Sequence, residues 1–290
     1  MKFLKLLYGS FLLVLFTSIS IFSQQNFQVY QDSIISLSDL AVKGETDQER
    51  NASSKQLSNV LIRVLNQDAS FNYPFDAVKS IAILNSPDKT FRLFNWNEPQ
   101  ENGTYLYYCI IQLYNKKTKK TEVFQLNDDE RKNNNRLLIE QSNMQYPHWY
   151  GSLYYQIIYN KNKKEKYYTL LGWEGKDKLT NIKIIDALHF NKNGEPEFAS
   201  GIFPLYNEEK GYDNKTMCSR IIFEYANQAA MSLKYDAEKK QIVYDFLAPE
   251  EEKYKGKYAY YGPDMSYDAL QFKKGKWVLM EKVEPKNKKD

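Results

Sequence analysis

Met231-Ser232-Leu233-Lys234-Tyr235-Asp236-Ala237-Glu238-Lys239-Lys240-Gln241-Ile242-Val243-Tyr244-Asp245-Phe246 decides the fold. Met231, Leu233 and Tyr235 alternate with Ser232 and Lys234, and Asp236 to Lys239 form a polar turn. Ile242, Tyr244 and Phe246 then return at the same spacing. A period of two puts successive side chains on opposite faces, so each limb has one apolar and one wet face. A polar turn between two such limbs is the signature of an antiparallel hairpin.

The same grammar recurs along the chain. Ile81 to Leu84 and Phe91 to Trp96 flank Asn85-Ser86-Pro87-Asp88-Lys89, with proline where a type I turn takes it. Tyr105 to Leu113 and Thr121 to Leu126 flank a lysine-rich loop, as do Leu153 to Tyr159 and Tyr167 to Leu171. Ser266 to Phe272 and Trp277 to Val283 enclose Lys273-Lys274-Gly275-Lys276. The expected fold is mainly β: an antiparallel meander, whether sandwich, barrel or propeller-like, with an N-terminal helical segment. That segment shows first in Asp32 to Ala41. It shows again after Thr46-Asp47-Gln48-Glu49, a capping box that opens the stripe Leu57, Val60, Leu61, Val64, Leu65. The expected division is a signal peptide over 1–23, the helical segment over 24–78, the β domain over 79–284 and a frayed tail over 285–290.

Composition fits this class. Tyr occurs 24 times and Phe 16 times among 290 residues, an excess that suits pleated, half-buried surfaces. The net charge of +4 falls by two when a signal carrying Lys2 and Lys5 is removed. The remaining lysines sit in turn clusters such as Lys116-Lys117-Thr118-Lys119-Lys120 and Lys161-Asn162-Lys163-Lys164. This is the pattern of solvated hairpin tips, not of the concentrated basic field that nucleic acid requires. At the start, Lys2 and Lys5 precede an apolar run from Phe11 to Phe22, followed by Ser23-Gln24. These are the parts of a secretory signal, with cleavage expected after Ser23 or, alternatively, Ser20. Without a cysteine near that boundary no lipid anchor is expected, and no later segment reads as a transmembrane helix. The expected location is therefore exported: periplasmic, outer-surface or secreted. Cys109 and Cys218 fit either one disulfide or two buried thiols.

The sequence carries no complete catalytic motif. HExxH, CxxC, P-loop, GxSxG and GxGxxG patterns do not occur, and no cofactor is expected. Ser86-Pro87-Asp88-Lys89 matches S-x-x-K, but it lies between strands and lacks its partner motifs, so it reads as a turn. His148 and His189 are too few for a multi-histidine metal site, and neither has a nucleophile placed beside it by sequence. Asp128-Asp129-Glu130 and Glu250-Glu251-Glu252 read as solvated loops; adjacent carboxylates cannot face each other across a sugar, nor do they follow a calcium-loop spacing.

Three loops place aromatic rings beside glycine, two of them with carboxylates. They are Trp149-Tyr150, the run containing Trp173, Glu174 and Asp177, and Tyr260-Tyr261-Gly262-Pro263-Asp264. Exposed rings stack on sugars or peptides while carboxylates accept hydrogen bonds, so these residues are the candidate binding face. The alternative is that the rings cover the ends of the β core. The runs YYTLLGWEGKDKLTNIKIIDAL, IIFEYANQAAMSLKYDAEKKQIVYDFLAP and YYGPDMSYDALQFKKGKWV resemble uncharacterised exported proteins of Bacteroidetes-type bacteria. The resemblance implies export and a shared fold, with no site residues. The leading expectation is a non-enzymatic binding or interaction module for a glycan, a peptide or an envelope protein. The alternatives are a secreted hydrolase acting on glycan or peptide, and a structural envelope component.

Overall fold

The computed structural model describes residues 27–129, 135–162, 165–207 and 211–280. The expected signal peptide, the Lys163-Lys164 tip and the expected tail lie outside the described residues. The chain forms two compact units, one of residues up to Ile81 together with Gln112–Val123, the other of Ala82–Ile111 and Phe124 onward.

The first unit is built on a helical pair, α1 over 27–43 and α2 over Asp47–Leu65. Thr46 caps α2: its hydroxyl accepts from the Glu49 amide at 3.2 Å, a bond whose loss costs about 1 kcal/mol. The reciprocal half of the box is displaced by one residue, because Glu49 Oε2 accepts from the amide of Glu45 at 2.8 Å rather than from Thr46. Leu57, Leu61, Val64 and Leu65 are fully buried and Val60 half-buried, as the helical stripe requires. At the far end the helix leaves carbonyls without intrahelical partners. The carbonyl of Leu65 is satisfied by Gln112 Nε2 at 2.7 Å, which also donates to Ser70 Oγ at 2.8 Å. Asp68 Oδ1 takes the Thr121 amide at 2.7 Å, and Phe71 stacks on Tyr114 at 4.7 Å. These bonds draw residues 112–123 into the helical unit. The boundary expected at residue 78 therefore misses a discontinuous piece of that unit.

The described strands pair antiparallel except for one short pair, and the first sheet runs through residues 112–123 as well. Ala82–Asn85 (β1), Phe91–Pro99 (β2), Tyr105–Asn115 (β3) and Lys120–Gln125 (β4) follow one another in a four-stranded sheet. Asn127–Asp128 (β5) runs parallel to His148–Trp149 (β7). Arg136–Gln141 (α3) and Met144–Gln145 (β6) precede the central strands Leu153–Asn162 (β8), Glu165–Gly175 (β9) and Thr180–Phe190 (β10). Pro196–Phe198 (β11) joins β10 at its end, linking it to β6. Phe203–Asn207 (β12) and Gly211–Cys218 (β13) form a hairpin, and Arg220–Ala226 (β14) returns to lie along β10. Leu233–Asp236 (β15), Gln241–Pro249 (β16), Tyr261–Lys273 (β17) and Lys276–Met280 (β18) form a closing meander. Among the described residues the strands form no closed barrel.

The expected hairpins are present, among them the one around Asp236 to Lys239: Leu233 opposes Tyr244 and Tyr235 opposes Ile242. The Ser86 turn is also as expected. Ser86 Oγ accepts from the amides of Thr90 and Phe91 at 2.9 and 3.1 Å and donates to Asp88. A serine so engaged is a turn residue, not a nucleophile. The β14–β10 ladder departs from a simple meander, since β14 reaches back over the β12–β13 hairpin to pair. It pays off in packing: Leu171, Ile185 and Ile221 share one buried cluster with Ile242, Tyr244, Leu270 and Trp277 of the closing meander. Trp277 is 1% exposed, and its indole donates to Thr169 Oγ1 at 3.0 Å, so this large side chain is buried with its polar group satisfied.

Gly172 on β9 leaves no room for a side chain. A methyl there would meet Ile184 Cγ2 at 2.8 Å and Tyr154 Cδ1 at 2.9 Å, with Ser152 Oγ closer still. Overpacking a rigid interior costs about 1–3 kcal/mol. Gly172→Ala is expected to lower the urea midpoint accordingly, whereas Gly256→Ala is expected to cost only its backbone strain, since Gly256 has φ +78° but open space around it.

Candidate functional site

A buried polar network underlies the candidate site. Arg220 on β14 and Asp186 on β10 stand directly opposite each other in the ladder and are both fully buried. Arg220 Nε donates to Asp186 Oδ1 at 3.2 Å. Its other nitrogens donate to Ile139 O at 2.6 Å, to Ser142 O and Oγ at 3.1 Å, and to Phe198 O at 3.1 Å. Asp186 Oδ2 accepts from Tyr154 Oη at 2.8 Å, and Trp149 Nε1 donates to that hydroxyl at 3.1 Å. Burial pushes the Asp186 carboxyl above its ordinary value, against the pull of Arg220 and the hydrogen bonds. One guanidinium thus fixes α3, its following loop and β11 against the β10–β14 ladder.

α3 owes its position to this network and to Glu140. The Glu140 carboxylate is 3% exposed; it accepts from the Ile222 amide at 2.9 Å and from Arg136 Nε at 3.2 Å. Burial pushes Glu140 up, opposed chiefly by Arg136. Burial also works against the charge on Arg136, but Glu140 and the Tyr258 oxygen outweigh it and hold the guanidinium protonated.

Beside Arg136 lies a cleft of about 180 Å³, lined by β14 at Ile222 to Glu224, by β16 at Tyr244 to Pro249, and by the connector that follows. The connector, residues 250–260, contains short 3-10 turns at Glu252–Tyr254 and Tyr258–Tyr260. Its ends are clasped by Glu250 N donating to Tyr260 O at 3.0 Å. Inside it, the Gly256 amide donates to Tyr261 Oη at 2.9 Å, and Tyr254 stacks on Tyr260 at 4.0 Å. Tyr258 and Tyr261, 5.0 Å apart, face the cleft together. The ladder slips between Asp245 and Leu247 of β16, where Asp264, Met265 and Ser266 of β17 stand against Phe246 alone. Such bulges re-aim a strand, and this one lies at the cleft edge.

The cleft draws in one residue of the expected binding face, Tyr261. Trp149 and Tyr150 are buried at 0% and 2% exposure, which corrects the reading of them as an exposed aromatic loop. Tyr150 Oη donates to Glu174 at 2.6 Å, and Glu174 is itself buried. Trp173 is half-buried against Tyr105, and Asp177 ties its own turn by accepting from Leu179 and Thr180. Tyr260 is exposed but stacked on Tyr254, and Asp264 closes the bulge by accepting from Ser266 N at 2.8 Å. Gly175, beside Trp173, serves packing, since a methyl there would strike the Tyr105 ring, whereas Gly151 has φ +84°. Glu252, read in sequence as part of a solvated loop, lines the cleft; Arg136 and Lys255 line it too and were missed, because nothing local in the sequence marks residues that a distant strand brings together.

The two histidines and the cleft carboxylates each have a partner. His148 Nδ1 lies 2.8 Å from Asp129 Oδ2, and His189 Nε2 lies 3.0 Å from Glu197 Oε2. Glu224 Oε1 accepts from Lys176 at 2.7 Å and Thr180 at 2.8 Å, and Asp245 Oδ2 from the Ser232 amide at 2.7 Å. Glu224 and Asp245 are therefore engaged in holding strands, while Glu252, the third carboxylate at the cleft, is exposed and lies 3.9 Å from Lys255. Among the described residues no group of three or more His, Cys, Asp or Glu converges as a metal site. Cys109 and Cys218 are free and buried, so of the two readings open in sequence the structure takes the thiols. Cys218 Sγ lies 3.0 Å from Arg220 O, and burial raises the Cys218 thiol to about 12.

Asp186→Ala is expected to destabilise the protein by about 3–5 kcal/mol, because it strands Arg220 as a buried unpaired charge; chemical denaturation measures it. Both thiols are expected to resist Ellman's reagent until the protein is unfolded, and reductant should leave the melting temperature unchanged. Prompt reaction or a reductant-sensitive melt would contradict the free, buried assignment. No protein-family model, no curated protein and no solved structure matches this chain.

Proposed function

We propose that this protein is an exported, non-enzymatic binding module, periplasmic or surface-associated, and that the cleft between β14, β16 and the 250–260 connector is its binding site. The observation that carries this reading is the cleft itself. Its tyrosines and aliphatic side chains surround a volume of about 180 Å³, a little above the roughly 150 Å³ of an apolar cavity that admits benzene. That suits one ring or one side chain rather than a long glycan. The apolar run behind Lys2 and Lys5 supports export. A hydrolase gains no support from the cleft, where Glu224 and Asp245 are engaged by Lys176, Thr180 and Ser232. The structural-component reading has one specific observation in its favour, the burial of Trp149, Tyr150 and Glu174.

A ligand screen covering monosaccharides, short peptides and small ring compounds tests the proposal. It uses the purified chain, Tyr261→Ala, and Ala248→Trp, which fills the cleft. Binding is expected in the parent and lost in Ala248→Trp with the fold intact by circular dichroism. Trp149→Ala is expected to act on stability instead, by about 3–5 kcal/mol. Equal binding by the parent and Ala248→Trp would overturn the cleft as the site, and no binding across the panel would leave the structural-component reading in place.

A further inference from the structure

Resting on the cleft being a binding site, we infer that its ligand is a carboxylate carried on a single apolar ring or side chain, anchored by Arg136. The interior offers apolar surface: Ile222, Phe223, Leu247 and Pro249, with the rings of Tyr258 and Tyr261. What distinguishes the rim is the state of its charged groups. Glu224 and Asp245 already accept hydrogen bonds from Lys176, Thr180 and the Ser232 amide, so they serve the β framework. The cationic side is differently placed.

Arg136 gives Nε to Glu140 at 3.2 Å and reaches Tyr258 Oη with Nη1 only at 3.4 Å. Its Nη2 makes no hydrogen bond to any described residue, while the side chain is 26% exposed where it lines the cleft. A guanidinium presents donors in a fixed planar fork that matches the two oxygens of a carboxylate. Here the fork is held before any ligand arrives, because Glu140 is itself fixed by the Ile222 amide at 2.9 Å. Little side-chain freedom is then left to lose on binding. Lys255 adds a second donor at the rim, with only a loose 3.9 Å pairing to Glu252. Since Glu140 already balances the charge of Arg136, recognition comes from donor geometry more than from a long-range field, and it should vary weakly with salt.

Two sources share this chemistry: a free small carboxylate, such as an aryl or branched-chain acid, and the last residue of a peptide. The experiment is calorimetric titration of the whole chain with 3-phenylpropionate and its carboxamide, and with one short peptide ending in phenylalanine, its C-terminus free or amidated. The acid or the free-ended peptide is expected to bind, with the matching amide about tenfold weaker or worse, as for the loss of a charge-assisted hydrogen bond. Tighter binding of the free acid points to a small-molecule source, tighter binding of the peptide to a chain terminus. Arg136→Lys should weaken the acid and leave the amide unchanged; Lys255→Gln should do so to a smaller degree and does not touch Glu140. Acid and amide binding equally would overturn the inference, and if Ala248→Trp still abolished both, the cleft would remain a binding site for another ligand. Failure of all four probes would also overturn it, while a hit elsewhere in the broader screen would keep the binding-module reading.

Discussion

The Arg220–Asp186 pair is the interaction on which the rest of the β unit depends. Two opposite charges without solvent cost more to desolvate than a single contact returns, so such a pair persists only when every remaining donor and acceptor is also met. Here they are met by backbone carbonyls of α3 and β11, by Ser142, and by Tyr154. Each of these partners is thereby fixed in place. Trp149 follows through Tyr154, and α3 follows through Ile139. The ion pair contributes little as attraction; what it supplies is a demand for partners, which only one arrangement of the surrounding segments can satisfy.

The location of the cleft follows from that demand. β14 is buried at every position, along β10 on one side and near the connector on the other. With α3 anchored over the start of β14, Arg136 is brought beside Ile222, and the connector between β16 and β17 places Tyr258 and Tyr261 opposite. The site is assembled from pieces some 85 to 125 residues apart in sequence from Arg136, as its numbering against Ile222 and Tyr261 shows. None of the pieces is a motif alone.

This explains what could be read in advance and what could not. Hairpins such as β15–β16 were legible because alternation and turn chemistry are local, and so was the Thr46 cap. The Ser86 turn was legible for the same reason. Aromatic residues beside glycine were ambiguous, because such a glycine serves a turn in one context and close ring packing in another. Gly172 and Gly175 take the second role. Arg220 and Asp186 lie 34 positions apart, and only the return of β14 to β10 makes them partners. One signal was available: IIFEYA is apolar enough to be buried on both faces. An arginine opening such a strand must find a carboxylate within the core.

The bond from Gln112 to the Leu65 carbonyl has a consequence for the order in which the chain matures. During synthesis the helical pair emerges first, but its C-terminal closure is encoded about thirty residues beyond Ile81, past β1, β2 and most of β3. The earliest element to appear is therefore among the later ones to be completed. A ribosome-bound chain stopped before residue 112 would carry helices with an open end, available to whatever escorts an unfinished polypeptide.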